Sequence, residues 1–558
     1  MVENLEIQIK KVIGADTEFD ISASEKEEFG HYSTNVAFKL APLLKKPPFE
    51  IAKEIASSVK RQASSKFVKV EAVAPGFVNF WLKPKLFQKE LAVILKNKNK
   101  YGRNNNLKGQ KTIIEYTDPN PFKEFHIGHL MSNSIGEALS RIIEWNGAKV
   151  KRACYQGDVG MHVAKAVWGI DHLGFKKIDS MADLAKAYAA GSRVYESDER
   201  VKKEINEINK KIYDRNDKNI NKIYDSGKAL SLDHFENIYR RLGTKFNYYF
   251  FESETGKFGK KIVEKGLKRG VFEKSQGATV FKGEKYGLHT RVFINSEGLP
   301  TYEAKELGLA ELKYKKYSYD KSIVITGNEV NDYFKVLLKV MEIMFPKLAE
   351  RTTHLSHGML RSPSGKMSSR TGDVITAESL IEDVQWLVRK KIKDRELSNE
   401  EKKEIEEAVS IAAIKYSILK QAVGGDIIFD FEKSISFEGD SGPYLQYAYT
   451  RANSVLTKAK EEGVRPSLKL LPAEVSEVER MLCRFPEILE RAGKEYAPNY
   501  MVFYLTELAR VFNSYYAKVK IVNPDDKYSP YKVALTEAFG VVLGSGLEIL
   551  GMGKPKKM

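Results

Sequence analysis

Cysteine is scarce in this sequence, which has only Cys154 and Cys483 among 558 residues. Two cysteines exclude a framework of several disulfides, and they also exclude a zinc knuckle built from several thiolates. A chain with so few thiols suits a reducing compartment, so we expect a cytoplasmic protein.

Long hydrophobic runs are missing as well. No apolar stretch reaches the roughly 18 residues that a membrane-spanning helix needs. The first residues, MVENLEIQIKKVIG, lack the basic segment followed by an apolar one that marks a secretory signal, so we expect none. The last apolar segment, AFGVVLGSGLEILGMG, is short and interrupted by glycine, which predicts a buried terminal helix.

Positive charge is in excess. Lys and Arg number 91 against 74 acidic residues, which gives a formal net charge of +17. Such an excess favours a polyanionic partner, and nucleic acid is the first candidate. An anionic membrane surface, or solubility alone, is the alternative explanation.

The length predicts three or four domains, and the first of them is a small α+β domain over residues 1–105. NVAFKLAPLLKKPPFEIAKEIASSVK has helical apolar spacing interrupted by Pro47 and Pro48. FVKVEAVAPGFVNFWL alternates around a Pro-Gly turn, which predicts a hairpin. The polar stretch 97–111 is rich in Asn and Gly and is typical of a linker.

The sequence pattern of residues 106–380 predicts an α/β domain. The strand KTIIEYT, 111–117, the helix that begins near HIGH and the strand in VKRACYQGD form a βαβ unit. This unit indicates a parallel, Rossmann-like sheet whose ligands bind at the carboxyl ends of the strands. The charge-laced helical pattern within about 173–285 indicates an insertion, and the strand SIVITG, 322–327, resumes the sheet.

The sequence pattern of residues 381–558 predicts an α-helical bundle that includes linker helices. SNEEKKEIEEAVSIAAIKYSILKQAV begins with a capping box at Ser398 and Glu401. Three more amphipathic patterns each predict one helix: YLQYAYTRANSVLTKAKEE, VERMLCRFPEILERAGK and NYMVFYLTELARVFNSYYAKV. Together they predict a bundle of roughly 120 residues.

The stretch EFHIGHLMSN carries the first chemical signal. His126, Gly128 and His129 follow a predicted strand and open a helix, where free N–H groups bind phosphate. The two imidazoles add hydrogen-bond donors for an oxyanion. Roughly 0.01 such H-x-G-H matches are expected by chance in this composition. A zinc site from His126/His129 or His354/His357 is the rival interpretation, although the glycine and the lack of nearby cysteine disfavour it.

The stretch SPSGKMSSRTGDVIT, 362–376, carries the second signal. Lys366 and Arg370 lie in a Gly/Ser-rich loop just before a new helix near Thr376. A mobile lysine beside a phosphate-binding helix suits the charge that develops on a leaving pyrophosphate. By itself the loop is typical of a solvated segment, and its value comes from the pairing with HIGH.

Together HIGH and GKMSS resemble the class I aminoacyl-tRNA synthetases, and EYTDPNPFKEFHIGHLMSN resembles their arginyl family. GHYSTNVAFKLAP and VAPGFVNFWL resemble that family's N-terminal domain, which binds the tRNA elbow. FEGDSGPYLQYAYTRANSVL, FNSYYAKVKI and GLEILGMGKPKKM resemble its helical anticodon-binding domain. The resemblance spans nearly the full chain.

The resemblance implies an arginine–tRNA ligase. Arginine and ATP give arginyl-adenylate and pyrophosphate, and the arginyl group then moves to the 3′ end of tRNA(Arg). Mg²⁺ accompanies the ATP, and a monomer is usual for the family. The motif match assigns His126 and His129 to the α-phosphoryl transition state and places Gly128 near the adenine or ribose. The match also implies catalytic or ATP-binding roles for Lys366, Lys123, Ser368 and Met359.

Arginine carries an ammonium and a planar guanidinium, so its pocket needs carboxylates. The resemblance implies contacts from Glu115 at the strand end and Asn120 in the loop. Tyr302 and Glu306, four residues apart, share one helix face, where the family usually has Tyr and Asp. The alternative for Glu306 is a surface ion pair with Lys305 or a neighbour.

Aromatic and polar side chains of the bundle are candidates for stacking on, or hydrogen bonding to, unpaired anticodon bases: Tyr447, Arg451, Asn513 and Tyr516. Each of them fits the bundle core equally well.

Two stretches depart from the family pattern. The family often has N-H-x-G-D-x-G-x-Q after the second strand, and this chain has CYQGDVGMH there. It retains Asp158 but has Cys154, Tyr155 and His162 in place of the Asn, His and Gln of the pattern. Val330 stands where the family has a glutamine.

Two other function classes remain as alternatives. A catalytically silent relative would bind RNA only, but the HIGH, lysine-loop and acidic-pocket signals are intact. A small-molecule nucleotidyltransferase with H-x-G-H would not need 100 residues before the fold or a helical bundle after it.

Overall fold

The computed structural model describes residues 6, 9–11, 17–24, 26–175, 177–361 and 376–558. Lys366 and Ser368, two of the predicted ATP-binding residues, lie outside these ranges. Among the described residues, no helix combines the length and the apolar character that crossing a membrane requires.

The N-terminal part is a four-stranded antiparallel sheet covered by helices. Its elements are β1 (Ile21–Ala23), β2 (Tyr32–Thr34), α1 (Val36–Leu44), α2 (Pro48–Ala63), β3 (Phe67–Val73), β4 (Phe77–Leu82) and α3 (Pro84–Asn97). The strand order is β1-β2-β4-β3. The predicted hairpin is confirmed as β3 and β4, which pair antiparallel from Phe67–Leu82 to Val73–Phe77. Pro48 begins α2, because proline fits the first helical turn but interrupts a helix interior.

The middle of the chain is built on a parallel sheet. Its first elements are β5 (Lys111–Glu115), α4 (Ile127–Trp145), β6 (Lys149–Gln156), α5 (Met161–His172), α6 (Met181–Ser197), α7 (Glu199–Asp214), α8 (Lys218–Arg241), β7 (Tyr248–Phe251) and α9 (Glu252–Lys268). A small antiparallel sheet follows, with β8 (Glu273–Ser275), β9 (Ala278–Phe281) and β10 (Arg291–Ile294). The remaining elements are α10 (Tyr302–Lys316), β11 (Lys321–Gly327), α11 (Asn331–Met344), α12 (Pro346–Arg351), β12 (Thr352–His357) and β13 (Leu360–Arg361).

The five main strands have the order β12-β11-β5-β6-β7, and every neighbouring pair is parallel. The predicted Rossmann-like sheet is therefore confirmed. Successive strands extend from β5 in one direction through β6 and β7, and then in the other through β11 and β12. The crevice beyond the carboxyl ends of β5 and β11 is the place where such sheets bind ligands.

The predicted insertion over about 173–285 needs a correction. Its first part is the helical group α6, α7 and α8, which packs on α5 in one apolar cluster. Its later part contains β7, which pairs in parallel with β6 and forms the edge of the main sheet. The sequence pattern does not reveal β7, because this strand has only four residues and follows a long charged helix.

The C-terminal part is a helical bundle, as predicted. Its elements are α13 (Ala377–Ile392), α14 (Asn399–Leu419), β14 (Ile427–Ile428), α15 (Phe431–Ser434), α16 (Gly442–Glu461), α17 (Glu477–Leu482), α18 (Phe485–Lys494), α19 (Asn499–Lys518) and α20 (Ser529–Ile549). The capping box at Ser398 and Glu401 is confirmed. The short strand β14 pairs with β13 and so ties the bundle to the end of the sheet region.

Helix α4 lies between the sheet and the bundle. It contacts β5, β6 and β11 on one side and α13, α14, α18 and α20 on the other. Consequently even polar residues of α4 such as Asn133, Glu137 and Ser140 are buried. The helix that begins at HIGH is therefore the central element of the molecule.

Candidate active site

Two imidazoles close the first turn of α4. His126 is the residue that caps the helix, and its Nδ1 accepts the backbone N–H of Gly128 at 3.1 Å. The Nδ1 of His129 accepts the backbone N–H of His126 at 3.2 Å. Because each Nδ1 is an acceptor, the ring proton of each neutral histidine is on Nε2. Both side chains are thus fixed as Nε2–H donors by the chain's own backbone.

The two rings stack on each other, with centroids 3.5 Å apart and planes inclined by 22°. Burial, followed by the charge of Lys123, lowers the pKa of His126. Burial also lowers the pKa of His129 well below its usual value, and His126 adds to the effect. Both imidazoles are therefore neutral near pH 7. A pair of neutral, fixed N–H donors suits an oxygen that gains negative charge.

Gly128 leaves room for the His126 ring. A Cβ at this position would lie 3.0 Å from Nδ1 and Cε1 of the His126 ring, which folds back over the glycine. A side chain here would require the ring to shift by a few tenths of an ångström.

The segment that contains Lys366 joins the structure beside the histidines. Residue Arg361 of β13 is the last described residue before it, and Thr376 is the first after it. Thr376 forms an antiparallel bridge with His126, and the N–H of Ala377 donates to the carbonyl of Phe125 at 2.8 Å. One described end of this segment therefore pairs with the backbone at His126, the residue that caps α4.

Met359, another predicted ATP-binding residue, lies between β12 and β13. Its side chain is 51% exposed, and its N–H donates to Oδ1 of Asp426 at 2.9 Å. It follows the carboxyl end of β12, which is the edge of the sheet at which ligands bind.

Carboxylates gather beyond β5. Glu115 forms a buried ion pair with Lys313 at 2.7 Å, and Glu252 forms another with Lys305 at 2.5 Å. The neighbouring carboxylates of Asp118 and Glu306 form no ion pair with any described residue within 4 Å. The lysines of α10 thus neutralise two acids of the group and leave two others.

The ionised forms of Asp118 and Glu306, the two acids without an ion pair, are unfavourable. Burial and the charge of Glu115 raise the pKa of Asp118 well above its usual value. The same two causes raise the pKa of Glu306 to about 8. A buried carboxylate without a cation is costly, so both acids take up protons more readily. An incoming cationic ligand would reverse this effect, so the pocket suits a cationic group.

The other predicted arginine contacts border this pocket. The Asn120 side chain lies against Gly157, where an added Cβ would collide with the Asn120 amide oxygen. Tyr302 begins α10, is 62% exposed, and lies with its ring centroid 5.2 Å from Nζ of Lys305. The alternative partner for Glu306, Lys305, is engaged by Glu252 instead.

Two residues that matter here were not singled out from the sequence. Asp118 accepts the N–H of Tyr155 through Oδ1 at 2.7 Å, which joins the loop after β5 to β6. The Tyr333 side chain is hydrogen-bonded to Glu306. The signal for Asp118 was present, because it follows the strand end in the stretch TDPN. Tyr333 had no local signal, since it comes from a different helix, α11.

The loop after β5 is strained. Thr117 has φ of 83°, Asp118 of 48° and Phe122 of 67°, which lie in the left-handed region. Each costs about 1–3 kcal/mol, so surrounding contacts must hold it. Thr117 donates its N–H to the Ser132 hydroxyl at 3.0 Å and accepts from the Asn133 amide at 2.9 Å.

The sequence departures near β6 have structural explanations. Asp158 is fully buried and accepts from Tyr224, Lys228 and both donors of Ser253, which ties α8 and α9 to the sheet. His162 lies with Nε2 2.9 Å from the Gly157 carbonyl oxygen. Burial, then the charge of Lys123, lowers the pKa of His162 to about 3, so this side chain is neutral.

The rival zinc interpretation finds no support in the described part of the chain, where no group of three potential ligands occurs. His354 and His357 are three apart on β12 and so point to opposite faces of the sheet. His354 stacks on Phe334 with centroids 3.8 Å apart.

The four bundle candidates come together in a second site. Arg451 donates to Oδ1 of Asn513 at 2.6 Å. Its guanidinium lies 4.7 Å from the ring centroid of Tyr447 and 4.9 Å from that of Tyr516. Tyr447, Arg451 and Tyr516 line a surface cleft of about 570 Å³ that also has Arg395, Lys458, Lys556 and Lys557 in its wall. These residues lie at the surface of the bundle, in a basic setting.

The parallel sheet, the paired imidazoles at the first turn of α4 and the attached helical bundle define a class I aminoacyl-tRNA synthetase. The model of the class I (R) tRNA synthetase catalytic domain matches residues 90–431. The model of the arginyl tRNA synthetase N terminal domain matches residues 2–82, and that of the DALR anticodon binding domain matches residues 445–558. The chain belongs to the arginyl-tRNA synthetase family.

Curated relatives and solved structures agree over the whole length. An arginine–tRNA ligase of Clostridium acetobutylicum is 30% identical over 562 residues, which cover 99% of this chain and 98% of that protein. Another from Halothermothrix orenii is 29% identical and covers 100% of this chain and 99% of its own. An arginyl-tRNA synthetase of Thermus thermophilus has the same fold, with a TM-score of 0.81 at 22% identity and full coverage of both chains.

The predicted domain boundaries near 105 and 380 stay predictions. The catalytic match begins before the first and continues to residue 431, past the second.

Proposed function

We propose that the residues beyond β5 and β11 activate arginine with ATP in the tRNA-charging reaction. Membership of the family makes this chain an ATP-dependent arginine–tRNA ligase. The observation that supports the assignment of the site is the pair of neutral Nε2–H donors at the start of α4, where His126 is bridged to Thr376, ten residues after Lys366 in the sequence.

His126 and His129 act on the α-phosphoryl group in this proposal. The arginine carboxylate attacks the α-phosphorus, and the bond to the bridging oxygen of the leaving pyrophosphate breaks. Negative charge spreads over the oxygens, where Nε2–H donors that are already in place stabilise it without reorganisation. Each histidine donates in its neutral form, because its Nδ1 lone pair accepts a backbone N–H and only Nε2 carries a proton.

Lys123 and Lys366 supply positive charge. Lys123 precedes His126 by three residues and His129 by six, and its charge already lowers the pKa of both. We assign Lys366 to the β,γ-phosphates, with Ser368, Met359 and the backbone at Gly128 completing the ATP site. Mg²⁺ enters with the ATP in this proposal, because it keeps several waters and binds mainly to phosphate oxygens.

The arginine side chain occupies the acidic pocket. Its guanidinium supplies the charge that Asp118 and Glu306 lack, and Asn120 and Tyr302 bound it. Glu115 adds negative charge to the same pocket, because its charge is one cause of the raised pKa values of Asp118 and Glu306. The ion pair with Lys313 holds Glu115 in place.

Aminoacylation of purified tRNA with labelled amino acids tests this function. Transfer of arginine, and of no other amino acid to a comparable extent, is expected. Transfer of lysine or another amino acid in place of arginine would contradict the assignment of the pocket.

The bundle cleft binds the anticodon in this proposal. Tyr447 and Tyr516 offer faces for stacking, and Arg451 and Asn513 offer hydrogen bonds to base edges. The basic wall favours the phosphate backbone, so tRNA affinity is expected to fall steeply with salt. A filter-binding series in KCl measures the slope, and a flat salt response would contradict this role.

A cytoplasmic monomer completes the proposal. Both cysteines are buried and free, which agrees with a reducing compartment. Light scattering after size exclusion should give a mass near 63.3 kDa, and twice that value would contradict the monomer.

A further inference from the structure

The turn at the end of α8 touches both the bundle and the active-site loop. It comprises residues 242–244, with Gly243 at φ of 66°. On the bundle side, the ammonium of Lys415 in α14 donates to the Leu242 carbonyl at 2.7 Å. Lys415 also donates to the carbonyl of Gly551, just after α20, at 2.9 Å. One side chain thus joins the turn to two parts of the bundle.

On the other side, the turn reaches the pocket loop through two hydrogen bonds. The Thr244 hydroxyl donates to Oδ1 of Asn133 in α4 at 2.9 Å. The amide of Asn133 in turn donates to the hydroxyl of Thr117 at 2.9 Å. Thr117 is the strained residue that precedes Asp118. The three side chains Thr244, Asn133 and Thr117 are all buried.

Helix α4 supports the same turn. Arg141 donates to the Gly243 carbonyl at 2.7 Å and to the Glu548 carbonyl of α20 at 2.5 Å. Two cations from different helices, Arg141 of α4 and Lys415 of α14, therefore hold consecutive carbonyls of one turn.

The position of Lys415 is unusual for a structural lysine. Its side chain is 1% exposed, and it forms no ion pair within 4 Å among the described residues. Burial lowers the pKa of Lys415 to about 7. Among the described residues its hydrogen bonds go to the two carbonyls, and a buried ammonium without an ion pair is costly, so an apolar residue would fill the space at lower cost. Stability alone does not explain its presence.

We propose that Lys415 is a positioning residue for the amino-acid pocket: it holds the turn 242–244, from which Thr244 and Asn133 hold Thr117 and so place Asp118. The bundle then contributes to arginine binding as well as to tRNA binding. This inference rests on the proposed assignment of the pocket around Asp118 and Glu306.

Lys415→Met removes the ammonium and keeps an unbranched apolar side chain of about the length of the lysine stem. It is expected to lower kcat/KM for arginine about 10-fold, because small displacements of positioned groups are costly. KM for tRNA should stay within about twofold, since the cleft around Arg451 is not changed. A change confined to KM for tRNA, or no change at all, would overturn the proposal.

Thr244→Val tests the same route without touching the bundle. It removes one hydroxyl at nearly constant volume, and the same loss for arginine is expected, with recovery in Thr244→Ser. The double variant Lys415→Met/Thr244→Val should lose no more than the worse single variant, because both break one chain of contacts. If the losses in kcat/KM of the two single variants multiply in the double variant, the two effects are independent and the proposal is overturned.

Thr536→Val is the matched control for a buried threonine of the bundle. Among the described residues its hydroxyl bonds only to the Lys532 carbonyl of its own helix, so arginine kinetics should not change. Thermal unfolding of each variant identifies any that fails to fold, and Thr244→Val then decides the outcome. Glu306→Gln separates the two proposals: if it changes KM for arginine while Lys415→Met and Thr244→Val do not, only the positioning role fails.

Discussion

The start of α4 and the cleft of the bundle use aromatic rings in opposite ways. At the start of α4, His126 and His129 stack at 3.5 Å, are neutral, and are fixed by backbone N–H groups. In the cleft, Tyr447 and Tyr516 flank the charged Arg451 at the surface, where Tyr516 is 42% exposed. A site for chemistry is rigid and desolvated, whereas a site for RNA keeps side chains that adjust to a large polyanion.

The largest expected effect is at the rigid site. His129→Ala removes one fixed donor, and kcat should fall about 10²–10³-fold because oxyanion donors have effects of this size. Filter binding should show unchanged tRNA affinity. A loss of less than threefold in kcat would show that the comparison is wrong and that the stacked pair is structural.

The acidic pocket comes next. Glu306→Gln keeps the shape but removes a charge that faces the ligand, so kcat/KM for arginine should fall about 10²-fold. Steady-state aminoacylation over a range of arginine concentrations measures it. Glu306→Asp, which keeps the charge, is the matched control and should lose less. Equal losses in the two variants would mean that length, not charge, matters.

The cleft should respond more weakly. Arg451→Met removes the cation between the two tyrosines and is expected to raise KM for tRNA about 10-fold, with kcat nearly unchanged. In this variant the slope of the logarithm of tRNA affinity against the logarithm of salt concentration should become shallower by about one. A fall in kcat without a change in KM would place Arg451 with the catalytic group and remove the contrast between the sites.

The smallest effect is on pH dependence. The pKa of Glu306 lies near 8 without ligand, and a bound cation favours the ionised form, so binding of arginine releases protons at pH 7. KM for arginine should therefore fall several-fold as pH rises from 6.5 to 8.5. Calorimetry in buffers of different ionisation enthalpy counts the released protons. A pH profile that is equally steep in Glu306→Gln would contradict the assignment.

Local signals in the sequence predicted the parts of the fold that depend on neighbouring residues. The histidines open α4 because the capping contacts span only three residues, and the strand β5 and the capping box of α14 are equally local. The bundle helices followed from apolar spacing, although α17 and α18 form where one helix was expected. Pro486 explains this break, because it lies in the first turn of α18.

Long-range pairing was not visible in the sequence. Lys313 meets Glu115 across 198 residues, and Lys305 meets Glu252 across 53. On α10 these lysines have the pattern of solvated charges. The membership of β7 in the main sheet was hidden for the same reason, since a strand of four residues is defined by its partner.

The sequence by itself determined the helix entrance with its two histidines, the βαβ unit around it, and the excess of basic residues, because these depend on contacts within a few positions or on composition. Only the tertiary structure decided which carboxylates are neutralised and which two remain for a cation. It also decided that a lysine of the bundle reaches the turn beside the pocket. The physical reason is that the energy of a charge depends on what surrounds it, and those surroundings come from residues far away along the chain.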